Sequence, residues 1–168
     1  MVTKYPLQRF VDKIDTPVEI PEKISDGLKK TVDDFMKRFE HMDETRTSQK
    51  PGPDKWSRKE ILGHLLDSAA NNHQRFVRAQ YTTELSHLSY QQNEWVKIQQ
   101  YHSRPWKELL VFWKSYNDHL AHIIRNMSRK SLDMPYTLGS GEQVTIGYIV
   151  VDYLGHMQHH IRQIEQMG

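Results

Sequence analysis

The 168-residue sequence contains no cysteine. This absence excludes disulfide bonds, thiolate nucleophiles supplied by the protein and cysteine-based zinc sites. The sequence also lacks long apolar runs: no stretch approaches the roughly 20 apolar residues that cross a bilayer, and the N-terminus lacks the apolar core of a signal peptide. A cytoplasmic protein is therefore expected.

An excess of charge of either sign is also missing. Lysine and arginine number 23 against 21 aspartates and glutamates, and the basic residues are scattered along the chain. Neither a nucleic acid nor a membrane surface is an expected partner, because both require a basic stripe or patch. A small-molecule substrate is favoured instead. The length and the lack of repeats or linkers predict one domain over residues 1–168.

Apolar residues recur at three- and four-residue steps in four long segments, which predicts an all-α protein. Pro21 opens the first helix, and Ser57 with Glu60 forms a capping box for the second. The four predicted helices run from Pro21 to about Asp43, from Ser57 to about Gln80, from Pro105 to about Met127, and onward from about Ile146. Four helices of this length indicate a four-helix bundle.

Two connections carry structure of their own. The segment Tyr81 to Arg104 is too long for a tight turn and is predicted to be a crossover, with a short helix near Glu94 to Gln100. A long crossover favours parallel neighbouring helices. Between Asp133 and Thr145, glycine turns separate β-favouring residues, which predicts a small hairpin before the last helix.

Three histidines lie close together in the last helix. His156 and His160 are four residues apart, so their rings project from one face, one turn apart, whereas His159 points to the flank. Such a pair can hold one metal ion. The pair alone is equally compatible with core histidines that hydrogen-bond to their neighbours. A third ligand is needed to favour the metal site.

The second helix offers this ligand in a polar row beside its apolar stripe. The row consists of His64, Ser68, Asn71 and Arg75. Taken singly, His64 is more often a structural histidine and Arg75 a solvated cation. Together with His156 and His160, however, His64 completes a three-histidine site between facing helices, and the remaining metal positions stay open to water or substrate.

Other histidine motifs are weaker. The only E-x-x-H motif, Glu84 to His87, lies in the crossover without a partner, which argues against a carboxylate di-iron centre. His119 and His122 are three residues apart on the third helix. They are interpreted as solvated or hydrogen-bonded side chains.

The segments WSRKEILGHLLDSAANNHQRF and DYLGHMQHHIRQI together resemble the paired signature of the DinB/YfiT-like superfamily. The segments YPLQRF, SYQQNEW and WKSYNDHLAHIIRNMS resemble its YfiT-like branch, which includes bacillithiol S-transferase and proteins regarded as metal-dependent hydrolases. The resemblance implies that a divalent metal binds to His64, His156 and His160. The family's Asp, Asn and Arg fall on Asp67, Asn71 and Arg75. Two frequent family histidines are replaced, by Gly63 and Ala69.

The predicted chemistry is activation of a nucleophile by the metal, which lowers the pKa of a bound water or thiol. Three imidazoles suit zinc or nickel, with manganese or iron as further candidates. Because the chain has no cysteine, a thiol must come from outside. The resemblance therefore implies transfer of a low-molecular-weight, bacillithiol-like thiol to a small electrophile. The alternatives are a metal-dependent hydrolase that uses a metal-bound hydroxide, and a non-catalytic metal-binding or interaction bundle.

Supporting roles follow from position. Arg75 and Asn71 are the candidate catalytic residues, with Arg75 placed to hold an anionic substrate group. Asp67 and Asp152 lie one turn from ligands and are expected to accept their second ring N–H. A homodimer is a further expectation, because the helices carry more apolar residues than one bundle interior needs, among them Trp106, Trp113, Tyr148 and Leu154.

Overall fold

The computed structural model describes residues 20–86 and 89–167 and contains the predicted all-α four-helix bundle. The long helices are α1 (Ile20–Phe39), α3 (Arg58–Arg78), α5 (Trp106–Arg125) and α7 (Ile146–Gln166). Three short helices, α2 (Glu44–Ser48), α4 (Gln92–Ile98) and α6 (Arg129–Leu132), and a 3₁₀ turn at Tyr101–Ser103 lie between them. The predicted motifs YPLQRF and Glu84 to His87 fall wholly or partly outside the described residues.

Each long helix packs against two others, so that α1 and α3 both contact α5 and α7. Helices α1 and α5 are antiparallel, since Ser25 donates a hydrogen bond to the Ala121 carbonyl and Asp33 pairs with Lys114. Contacts along α7 show that it runs parallel to α1 and antiparallel to α3. It follows that α3 and α5 are parallel neighbours, as a long crossover between them favours.

The core is apolar and rich in aromatic side chains. The Phe35 ring packs edge-on against Trp113 at a centroid distance of 5.2 Å and against Trp106 at 6.4 Å. Trp106, Trp113 and Leu154 are all buried within the monomer, so three of the four residues offered as surplus apolar surface belong to the bundle interior. Of that set, only Tyr148 is exposed.

The ends of the helices follow capping chemistry. The predicted capping box opens α3: the backbone N–H of Ser57 donates to Glu60 Oε2 at 2.8 Å, and the Ser57 hydroxyl accepts from the Glu60 N–H. The first helix ends at Phe39 rather than at the predicted Asp43. The reason is that the Asp43 carboxylate accepts the Arg46 N–H and begins the separate helix α2.

The crossover contributes a strand that the sequence did not predict. Strands β2 (Pro135–Thr137) and β3 (Gln143–Thr145) form the predicted hairpin, and β1 (Leu85–Ser86) pairs with β2 in parallel. The crossover helix α4 ends at Ile98, and Gln100 takes a left-handed conformation with φ 51° before the 3₁₀ turn begins. The crossover is thereby joined to the hairpin through β1, and its helix α4 and the 3₁₀ turn contact α3.

Among the helices described, none is both long enough and apolar enough to span a membrane.

Candidate metal centre

The three predicted ligands meet between α3 and α7. His64 Nε2 lies 3.3 Å from His156 Nε2, which in turn lies 3.2 Å from His160 Nε2. One ring nitrogen from each residue falls within 4.8 Å of the other two. Within the described part of the chain, this is the one cluster of three or more histidine or carboxylate side chains with such an arrangement.

These separations fit a single metal ion. Two ligands at the vertices of a tetrahedron, each bonded at 2.0–2.1 Å, lie about 3.3 Å apart. The distances from His156 Nε2 to its two neighbours, 3.3 and 3.2 Å, match this edge length. One cation would engage three lone pairs that otherwise face one another. A metal with three protein ligands keeps at least one position open, as catalytic sites require.

The protonation state of the rings also suits a metal. Burial, reinforced by the nearby His160, lowers the pKa of His64 to about 3. Burial and the neighbouring histidines hold the pKa of His156 well below 6.5, and burial lowers the pKa of His160. All three imidazoles are therefore neutral at physiological pH and present lone pairs, which is the form that binds metal.

Polar and aromatic neighbours orient the three rings. His160 Nδ1 is 3.0 Å from Gln163 Oε1, and His156 Nδ1 is 3.4 Å from the Ser68 hydroxyl. The His64 ring packs on Trp56, with ring centroids 5.1 Å apart. When Nδ1 of a histidine donates a hydrogen bond, the Nε2 lone pair is left available to a metal. The Gln163 oxygen, which can only accept, thus favours the His160 tautomer in which Nε2 is the ligand atom, and the Ser68 hydroxyl is compatible with the same tautomer of His156.

The prediction that Asp67 supports His64 is wrong for the geometry observed. Asp67 Oδ1 accepts hydrogen bonds from Gln99 Nε2 at 2.6 Å and from the Tyr101 hydroxyl at 2.7 Å. Asp67 Oδ2 and His64 Nδ1 are both buried, and neither has a hydrogen-bond partner among the described residues. Side chains of the crossover, whose positions the sequence pattern does not predict, donate hydrogen bonds to the carboxylate that was expected to accept the ring N–H of His64.

The position of Tyr101 depends on Gly63. A Cβ atom at Gly63 would lie 2.1 Å from Tyr101 Cδ2, so the ring occupies space that any other residue would fill. Burial and the bond to Asp67 raise the pKa of Tyr101, which keeps the hydroxyl protonated as a donor. One of the chain's departures from the family pattern therefore makes room for a ring that fixes Asp67.

The candidate catalytic residues Arg75 and Asn71 lie further along the polar row. Arg75 donates to Asn72 Oδ1 at 3.0 Å, and its guanidinium lies over the Tyr136 ring at 5.7 Å. Asn71 donates to the Asp67 carbonyl at 2.8 Å and lines a small cavity beside Arg75. Burial raises the pKa of Asp152, and the opposing charge of Arg75 shows that this carboxyl faces the same region.

The remaining histidines on these helices lie outside the cluster. His159 is adjacent to His160 in sequence but is not one of the three converging residues. His73 contacts the Tyr116 hydroxyl through Nδ1 at 3.1 Å and packs edge-on against His119. His122 is exposed. The structure thus separates the three predicted ligands from their neighbours in sequence.

Sequence reasoning missed several supporting residues. Gln163 could have been predicted, because a residue three positions after a candidate ligand shares its helix face. Ser68 belonged to the predicted polar row, but without a contact to His156. Tyr101 and Gln99 carried no such signal, since they approach Asp67 only through the path of the crossover.

Comparison with known proteins agrees with this fold and cluster. The profile of the DinB superfamily matches residues 28–164, and the chain belongs to this superfamily. The chain is 22% identical over 170 residues to BH0277 of Halalkalibacterium halodurans, which is named as a candidate metal-dependent hydrolase; the match covers 99% of this chain and 96% of that protein.

A solved structure has the same fold. YfiT from Bacillus subtilis, described as a probable metal-dependent hydrolase with an unusual four-helix bundle topology, superposes with a TM-score of 0.79. Sequence identity is 16%, and the match covers 88% of this chain and 85% of YfiT. The fold is therefore that of the YfiT-like bundle.

Proposed function

We propose that this protein is a metal-dependent enzyme that transfers a low-molecular-weight, bacillithiol-like thiol to a small electrophile. The observation that supports the metal centre is the meeting of three neutral imidazoles. The Nε2 atoms of His64 and His160 lie 3.3 and 3.2 Å from His156 Nε2. A divalent ion, with zinc or nickel preferred, would lower the pKa of a bound thiol and supply a nucleophile near neutral pH. A cytoplasmic location fits, because thiols are kept reduced there.

The protein's own contribution is binding and orientation. His64, His156 and His160 would hold the ion without cancelling its charge, because all three ligands are neutral, and an anionic sulfur is then favoured as the next ligand. Gln163 and Ser68 hold two of the rings in register. The chain has no cysteine that could compete with the external thiol for the ion.

The second candidate function is metal-dependent hydrolysis. It is favoured by the names of BH0277 and YfiT, which both refer to a metal-dependent hydrolase. The same three histidines would hold the ion, and a water would replace the thiol as the activated molecule. The two functions differ in the substrate pocket rather than in the ligand set.

The metal centre is tested by measuring metal content. Protein purified without nickel resin is expected to bind one divalent ion per chain, as measured by elemental analysis and by titration with zinc, nickel and manganese. Alanine at His64, His156 or His160 should abolish tight binding. The matched control is His159→Ala, because this residue lies on the same helix next to a ligand. An equal loss in the control, or no binding by the unaltered protein, contradicts the proposed centre.

The reaction is tested with the metal-loaded protein, a panel of cellular thiols and a generic haloarene or haloalkane. Conjugation with at least one thiol is expected to accelerate, and His160→Ala should remove the acceleration. Esters and amides are assayed in parallel. Metal-dependent cleavage of these substrates without any thiol transfer would establish the hydrolase function in its place. A metal-loaded protein active in neither assay would be a binding or interaction bundle.

A further inference from the structure

A small cavity lies between α3, the first strand of the crossover and the hairpin. Its volume is about 30 Å³, which is more than the roughly 10–15 Å³ that one buried water occupies. The cavity therefore has room for a small polar group of a ligand. Its polar lining comes from Asn71, Gln74, Arg75, Arg78 and Ser86.

This lining is rich in hydrogen-bond donors and carries positive charge. Two guanidinium groups, those of Arg75 and Arg78, border the cavity, and no carboxylate is part of its wall. Within the described ranges 20–86 and 89–167, neither guanidinium lies within ion-pair distance of a carboxylate, although the charges of Arg75 and Asp152 interact at longer range. Arg75 is half-buried and Arg78 is exposed, and two arginine side chains that line one cavity without a carboxylate in its wall favour an anionic ligand there.

The Arg75 guanidinium is held in place. Its Nη1 donates to Asn72 Oδ1 at 3.0 Å, and the Tyr136 ring supports it at 5.7 Å. A guanidinium has five N–H donors, so the single bond to Asn72 leaves a planar edge for a ligand. The Asp152 carboxyl also faces Arg75: burial raises the pKa of this carboxyl, and the opposite charge of Arg75 lowers it. The group is preorganised for bidentate binding.

The cavity lies on the same helix face as the metal centre. Ser68 contacts His156, and Arg75 follows seven residues later, about 10 Å along the axis at 1.5 Å per residue. The guanidinium reaches back toward Asn72, which shortens this separation. One small molecule can therefore place a reacting group at the histidines and an anionic group at Arg75.

We propose that the cavity formed by Arg75 and Arg78 binds a carboxylate of the substrate, a few carbon atoms away from the group that reaches the metal. A carboxylate is small and planar, and its two oxygens match the edge of a guanidinium. This proposal deepens the proposed function, on which its link to the reaction rests, because it makes the substrate an anionic thiol or an anionic electrophile.

The binding test does not depend on catalysis. The full-length, metal-loaded protein is titrated with pentanoate, and the arginine Nε–H resonances are followed by NMR, with pentanol and inorganic phosphate as control probes. Pentanoate should shift the Arg75 resonance saturably, and pentanol should not. The conservative Arg75→Lys variant should bind pentanoate about ten-fold more weakly because the bidentate edge is lost.

Two further variants distinguish a specific loss of binding from misfolding. Arg78→Gln removes a charge from an exposed side chain of the same wall and should weaken binding, whereas Arg129→Gln, whose residue pairs with Asp133 and is not part of the cavity wall, should leave binding unchanged. An absent Arg75 shift, an equal response to pentanol, or equal losses in both variants would overturn the proposal. A saturable response to phosphate alone would also overturn it as a carboxylate site.

The reaction test then separates the two proposals. Mercaptoalkanoates are compared with mercaptoalkanols of equal chain length as thiol donors. The acid should show a KM about ten-fold lower than the alcohol, and Arg75→Lys should raise the KM of the acid about ten-fold more than the KM of the alcohol. Turnover without discrimination contradicts the carboxylate site while the proposed function stands. If no thiol is turned over, the proposed function fails, and the NMR result alone decides on the cavity.

Discussion

Replacement of Gly63 by alanine tests the close contact beside His64, the first candidate ligand. Gly63 lies in the interior of α3, immediately before His64. A Cβ atom there would lie 2.1 Å from Cδ2 and 2.2 Å from Cγ of Tyr101. Because Cγ is the root of the ring, rotation about χ2 does not relieve the overlap. The whole ring, or the 3₁₀ turn that carries it, must move.

The expected magnitude combines three effects. Alanine gains about 1 kcal/mol over glycine in a helix interior. Overpacking of a filled site costs about 1–3 kcal/mol. Displacement of the Tyr101 hydroxyl from Asp67 Oδ1, now 2.7 Å away, leaves a buried acceptor short of a donor and costs about 1–3 kcal/mol more. The net loss in the free energy of unfolding is about 3 kcal/mol, or roughly 6–12 °C in Tm for a protein of this size.

Thermal and denaturant unfolding of the metal-free protein measure this loss. The matched control is Gly147→Ala in α7, where an added Cβ would meet nothing closer than 3.4 Å; it should be neutral or stabilising. Tyr101→Phe isolates the hydroxyl contribution, and the double variant Gly63→Ala with Tyr101→Ala should lose less stability than the sum of the two single variants, because the small side chain relieves the overlap. If Gly63→Ala is as stable as the unaltered protein, the steric argument fails.

Three further predictions concern the metal centre and assembly. Zinc or nickel at about 100 times its Kd should stabilise the protein by about 2.7 kcal/mol and raise Tm by roughly 5–11 °C, reversibly on chelation; no shift would count against the centre. In the metal-free protein the lowered pKa values of His64 and His156 mean that only the unfolded chain takes up their protons below about pH 6.5. The free energy of unfolding should therefore have its full value above that pH and fall as the pH drops toward 3, with a steeper pH dependence than in His64→Ala. Equal pH dependence in denaturant unfolding of the two proteins would contradict the burial argument. A homodimer, for which exposed Val111, Phe112 and Tyr148 offer apolar surface, should sediment at twice 20.0 kDa and weaken in Phe112→Ser, whereas a single monomeric species at high concentration would exclude it.

The helices and the ligand pair in α7 could be predicted from the sequence because they depend on local periodicity. A spacing of four residues places His156 and His160 on one helix face whatever the rest of the fold does. The capping box at Ser57 and Glu60 is local in the same way, and it formed as predicted. The polar row on α3 could also be predicted from its spacing. That His64 would meet the histidines of α7, however, depends on how α3 and α7 are positioned along each other's axes.

Only the tertiary structure decided what surrounds those residues. The crossover brings Tyr101 to Asp67, 34 positions away in sequence, and no periodic pattern encodes that approach. Strand β1 pairs with β2 across about 50 residues and thereby forms a wall of the cavity beside Arg75. The local sequence determines which face of its helix a side chain occupies. Which partner the side chain contacts depends on how distant segments pack, and this packing is determined by the close-packed core as a whole.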